Sequence, residues 1–96
     1  MPAAARKGDA GVPHCSAYTI ASASSDVVIN GRGAARQGDV STSHLRPGGK
    51  KCRGHVAPIS RGSSSVFING RPAARVGDPL SGCTSVGTGS ADVIIG

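Results

Sequence analysis

Residues 25–44 read SDVVINGRGAARQGDVSTSH and residues 64–83 read SSVFINGRPAARVGDPLSGC, and this pair decides the fold. The two stretches share the frame V-x-I-N-G-R-x-A-A-R-x-G-D-x-x-x-x-(H/C) at an offset of 39. A third, shorter copy, PAAARKGDAGVPH at 2–14, lies 30 residues before the equivalent part of the 25–44 copy and lacks the V-x-I-N-G portion. The missing portion stands at the other end, where SADVIIG at 90–96 superimposes on SSDVVIN at 24–30. An internal period of this length means stacked or encircling copies of one supersecondary unit. Here the repeat closes on itself, so the two chain ends are expected to be neighbours. The expected organisation is one domain over residues 1–96, with one unit at 2–14 completed by 90–96, a second at 24–44 and a third at 63–83. An irregular loop over 45–62 separates the last two. Three units around one axis give a body with pseudo-three-fold symmetry made from a single chain.

Each long unit begins with a β-branched or aromatic run, Val27–Ile29 or Val66–Ile68, followed by Asn30-Gly31 or Asn69-Gly70. Asn-Gly between short extended segments is a strong hairpin signal, because both turn residues must accept positive φ. The returning strand carries Ala-Ala-Arg, whose small side chains let backbones approach closely near a crowded axis. The R-x-G-D element recurs as Arg6/Asp9, Arg36/Asp39 and Arg75/Asp78. Its glycine supplies a turn, and its aspartate is expected to accept backbone N–H bonds while facing the arginine, a structural role. With 15 Gly, no Glu and two Leu, long helices are not expected, and the chain reads as all-β.

Counting five residues on from Asp9, Asp39 and Asp78 lands on His14, His44 and Cys83. If the units surround an axis, these positions converge, and His and Cys are the side chains that suit zinc. Tetrahedral zinc needs a fourth ligand from a part of the chain that breaks the repeat. The spacing from the second unit to the third exceeds that from the first to the second by nine residues, 39 against 30, and the longer stretch holds Cys52 and His55. One of these two is the expected fourth ligand. The separations are too long for a zinc finger, and a closed four-ligand site makes the metal structural rather than catalytic.

Composition agrees. The only aromatics are Tyr18 and Phe67, so a chain of 96 residues has little bulk for a core and calls for a metal, disulfides or a partner. Three cysteines, Cys15, Cys52 and Cys83, would leave one thiol over in a disulfide framework. All five acids, Asp9, Asp26, Asp39, Asp78 and Asp92, occupy repeat positions, which leaves no free carboxylate for catalysis. The motif G-x-S-x-G is absent, so a hydrolase is disfavoured. The net charge of +6 and the cluster Arg46, Lys50, Lys51, Arg53 raise a nucleic-acid-binding module as the alternative. Scarce aromatics and missing helices count against it. MPAAARKGD at the start contains no apolar run of the secretory type, so synthesis and folding in the cytosol are expected.

Pro72-Ala73-Ala74-Arg75, with the variants Gly33-Ala34-Ala35-Arg36 and Pro2-Ala3-Ala4-Ala5-Arg6, resembles the motif of the PAAR-repeat proteins. The resemblance covers essentially the whole chain, including the I-N-G-R-x-A-A-R-x-G-D frame. It implies a small cone-shaped β fold with one structural zinc near its point, held by three His and one Cys. Carried over to this sequence, those ligands are His14, His44, His55 and Cys83, with His55 preferred to Cys52. It further implies a standalone, non-enzymatic tip, one copy seated on the blunt end of the trimeric VgrG spike of a type VI secretion system. Such a tip aids membrane puncture and effector delivery, touches the target membrane transiently, and leaves the cytoplasm on the spike. No nucleic-acid partner is implied.

Overall fold

The computed structural model describes residues 2–13, 17–42, 44–48, 51–81 and 84–96, with 44–48 and 51–55 described by their backbone. Among the described residues there is no helix. Strands pair two by two and antiparallel: β1 (Val28–Ile29) with β2 (Arg32–Gly33), β3 (His44–Gly48) with β4 (Lys51–His55), and β5 (Phe67–Ile68) with β6 (Arg71–Pro72). At the turns Asn30 and Asn69 both have φ 53, and Gly31 and Gly70 both have φ 77. Positive φ at both central residues is the mirror-image turn whose twist matches its flanking strands. The Asn-Gly dipeptides therefore fold as the sequence specifies.

The rest of the chain joins through single antiparallel bridges that close a ring. Ala10 pairs with Thr19, Ile20 with Ser41, Val40 with Pro58, Ile59 with Leu80, Pro79 with Ser85, and Val86 with Gly11. Six segments are thus linked in a circle, which leaves no open edge. Because neighbours run antiparallel, their connections alternate between the two ends of the ring. The β1–β2 and β5–β6 hairpins lie at one end, together with the paired chain ends, where Ala3 bridges Ile94 and the Ile95 N–H donates to the Pro2 carbonyl at 2.9 Å. The β3–β4 hairpin leaves from the other end. The stretch 45–62, expected to be an irregular loop, thus contains β4, most of β3 and a ring segment. Its LRPG and KCRGH strands lack the β-branched run that announces β1 and β5, while Pro47-Gly48-Gly49 is a turn sequence.

Between the two ends three Ala-Ala pairs meet at a waist. The Ala5 N–H donates to Ala74 O, Ala74 N–H to Ala35 O, and Ala35 N–H to Ala5 O, each at 3.0 Å. This is a closed cycle of three identical bonds. Ala4, Ala5, Ala34, Ala35, Ala73 and Ala74 are all essentially fully buried, and any larger side chain would hold these backbones apart. On the hairpin side of the waist, Ile29, Ile68 and Ile95 pack with Ala4, Ala34 and Ala73. Inside the six-segment ring, Ile20, Ile59 and Val86 occupy equivalent repeat positions, and Tyr18 and Leu80 supply the remaining bulk. Tyr18 fills the space left by Gly11, where a Cβ would stand 1.9 Å from the ring.

The repeat also shares out its methyl groups. Gly33 faces Ala23, Gly62 faces Pro72 and Gly89 faces Ala3, so in each unit one partner is glycine and the other carries the Cβ. A Cβ on Gly62 would stand 2.7 Å from Ala73 O and 2.9 Å from Pro72 Cβ, both fixed by backbone. Gly62→Ala is expected to cost about 1–3 kcal/mol, the range for overpacking a tight interior, read as a lower urea midpoint with unchanged slope. The body measures 40 × 24 × 22 Å, elongated with two nearly equal short dimensions.

Candidate functional site

The R-x-G-D elements form three nearly identical joints. In the first, the Arg6 backbone N–H and Nε donate to Asp9 Oδ2 at 2.7 and 2.9 Å, and Nη2 donates to Oδ1 at 2.9 Å. Arg36 repeats the pattern on Asp39 at 2.8, 3.0 and 3.0 Å, and Arg75 on Asp78 at 2.7, 3.0 and 2.9 Å. The intervening Gly8, Gly38 and Gly77 have φ of +87°, +93° and +94°, which only glycine adopts without strain. The carboxylates are buried, and no buried side-chain polar atom among the described residues lacks a partner. These are structural joints, as the sequence suggests.

Other members of the joints were not legible beforehand. Arg32 from the next unit places Nη2 2.6 Å from Asp9 Oδ1, and Arg71 approaches Asp39 at 3.5 Å. Asn30 and Asn69 do more than turn the chain. The Arg6 Nη1 donates to Asn30 Oδ1, which also accepts from Ser90, while Asn30 Nδ2 donates to Asp92. Asn69 repeats this with Arg36, Ser24 and Asp26. In the third joint Ser63 donates to the Gly96 carbonyl instead. Ser24, Ser63 and Ser90 share one repeat position and each accepts two backbone N–H groups of the following turn. The repeat units at 24–44, 63–83 and 90–96, with 2–14, contained all these residues. Their partners depend on how the units pack.

Burial alone pushes the Asp9 carboxyl upward, but the Arg6 hydrogen bonds and charge outweigh it and hold the group below its ordinary 3.8. The Arg6 guanidinium is correspondingly raised. A carboxylate with a lowered folded-state pKa stabilises the fold fully above its unfolded value and loses that contribution as pH falls through the folded value. Asp9→Asn is therefore expected to lower stability at pH 7, with the gap to the parent chain narrowing as pH falls below about 4. Denaturant titrations of both chains across that range provide the check.

Of the candidate zinc ligands, His14 and Cys83 lie outside the described residues, as does Cys15, and His44 and His55 are described by backbone alone. Described neighbours flank each position at one end of the ring. The Val12 N–H donates to Ser85 O at 2.8 Å, two residues before His14 and two after Cys83. The Ser41 N–H donates to Ala57 O at 2.9 Å, and Thr42 N–H to Thr19 O at 2.8 Å, just before His44 and after His55. His44 and His55 are direct register partners, and directly opposed residues share one face of a hairpin. Cys52 pairs with Pro47 and falls on the other face. His and Cys are donors that suit zinc, and the register puts His55, not Cys52, on the face of His44. Among the described residues there is no group of three or more His, Cys, Asp or Glu that could hold a metal.

At the hairpin end, three apolar side chains at one repeat position stand in solvent: Val28 is 60% exposed, Phe67 58% and Ile94 58%. Val27 and Val66, each 37% exposed, extend two of the three. Each sits beside a buried isoleucine, following the strand alternation of in and out.

A closed ring of six bridged segments with short hairpins at its ends, tied by arginine–aspartate joints and free of helix among the described residues, defines a small all-β internal-repeat protein. A sequence model of the PAAR motif matches residues 49–96, half of the chain, and the chain belongs to that family. No curated protein matches it.

Proposed function

We propose that the chain is the tip of a type VI secretion spike, a single copy capping the blunt end of the trimeric VgrG β-helix. The observation that carries the reading is the closed cycle of three Ala–Ala bonds, joined to one exposed apolar residue per unit at the same end. A single chain organised this way acts as a pseudo-three-fold body and offers a three-fold partner three similar contacts at once. Val28, Phe67 and Ile94 form the seat, and the opposite end, with the β3–β4 hairpin, leads.

In this reading one zinc, bound by His14, His44, His55 and Cys83, closes the leading end. When bound it supplies cross-linking alone, since four protein ligands leave no position for water or substrate. The chain's own residues hold the shape: the Ala waist, the three Arg–Asp joints and the ring. The role is mechanical rather than enzymatic, with effectors carried on the spike, and the chain travels from the cytoplasm outward with it. Mixing the chain with its VgrG trimer should give a complex that co-elutes in size exclusion. A correctly folded chain that never co-elutes with it would refute the reading.

A further inference from the structure

We infer that the β3–β4 hairpin is an amphipathic lipid-contact element that binds anionic bilayer surfaces. The register sorts its residues. His44 and His55, Arg46 and Arg53, and Gly48 and Lys51 are paired on one face, while Leu45 and Gly54, and Pro47 and Cys52, are paired on the other. One face therefore carries three cations and no acid, and the other carries only apolar residues and glycine. Arg46 directly opposite Arg53 is a like-charge pair that destabilises an isolated hairpin, so the fold itself gives no reason for it. No acidic residue occurs between Asp39 and Asp78 to offset these charges. Two further apolar side chains near that end of the ring are exposed, Val12 at 45% and Val56 at 52%.

An apolar face opposite a cationic one is the arrangement that lies in a bilayer interface, with the apolar side toward acyl chains and the cations among headgroup phosphates. Each Lys or Arg near an anionic leaflet adds attraction that decays within a Debye length. Nucleic acid would use the cations equally, but strand binding also uses aromatic platforms, and the hairpin has none. The inference rests on the tip reading and adds which element meets the bilayer and that anionic headgroups hold it, yet its test needs no spike.

The test is flotation of the zinc-loaded chain with vesicles of phosphatidylcholine alone, or of equal parts phosphatidylcholine and phosphatidylglycerol. Binding is expected to the mixed vesicles only. Arg46→Gln with Arg53→Gln should weaken it about five-fold per lost cation, equivalent to about 1 kcal/mol each. Arg46→Lys with Arg53→Lys should retain it, which separates charge from folding. Leu45→Ser should weaken binding without changing its salt sensitivity. Equal binding to both vesicles, no loss in the Gln variant, or tighter binding to duplex DNA than to mixed vesicles would overturn the inference. Spike co-elution by the Gln variant, measured alongside, reports on the tip reading separately.

Discussion

On the proposed zinc reading, chelating the metal from the purified chain is expected to unfold it at room temperature. Among the described residues the largest fully buried apolar side chains are Ile20, Ile59, Leu80 and Val86, with Tyr18 nearly as buried, so the apolar core is thin. A structural zinc contributes about 10–16 kcal/mol of apparent binding free energy, comparable to the roughly 5–15 kcal/mol by which whole domains are stable. Removing it should therefore cost most of the stability. The same reasoning orders the ligand variants. His55→Ala should lose the metal and unfold, because His55 shares a face with His44. Cys52→Ala should keep one zinc per chain. Metal analysis beside circular dichroism distinguishes the cases. A chain that stays folded in chelator, or a Cys52→Ala chain that alone loses zinc, would show the ligand set to be wrong.

Replacing the seat is expected to have the second-largest effect. Burying one Val, Ile or Phe side chain fully is worth about 1.5–3 kcal/mol, and all three seat residues are more than half exposed in the free chain. Phe67 has the greatest area to lose, and aromatic residues dominate interface energetics. Phe67→Asp should weaken spike binding by about 100-fold, the equivalent of about 2.7 kcal/mol, and Val28→Asp by less. Both chains should melt close to the parent, since these side chains make no part of either core cluster. Equal affinity for parent and Phe67→Asp, by titration calorimetry, would move the seat elsewhere.

The hairpins, the buried Ala pairs and the Arg–Asp joints were legible because each rests on local chemistry. Asn-Gly fixes a turn, alanine permits close approach, and an arginine three residues from an aspartate closes a loop around glycine. The circular repeat also announced that residues 2–4 and 93–95 belong together, and they are hydrogen-bonded. What escaped the sequence depends on distant partners. Arg32 reaching Asp9, Ser24 reaching Asn69, and Tyr18 lying over Gly11 each join segments whose approach only the closed ring determines. The β3–β4 hairpin escaped for the opposite reason, since its strands have weak intrinsic β preference and form where the ring delivers both ends side by side.

His55 and Cys52 are the two candidates that the metal analysis separates, and the register adds one fact about them. Three residues of separation leave both available in sequence, whereas one register assignment puts them on opposite faces. Alternation with period two turns a spacing into a side.

The most direct test of the spike-tip reading is the mass of its complex with the VgrG trimer in native mass spectrometry. A closed ring of three units made from one chain predicts one copy per three spike subunits, with no free site left for a second. A complex carrying three copies per trimer, or one that forms with monomeric spike subunits alone, would contradict it.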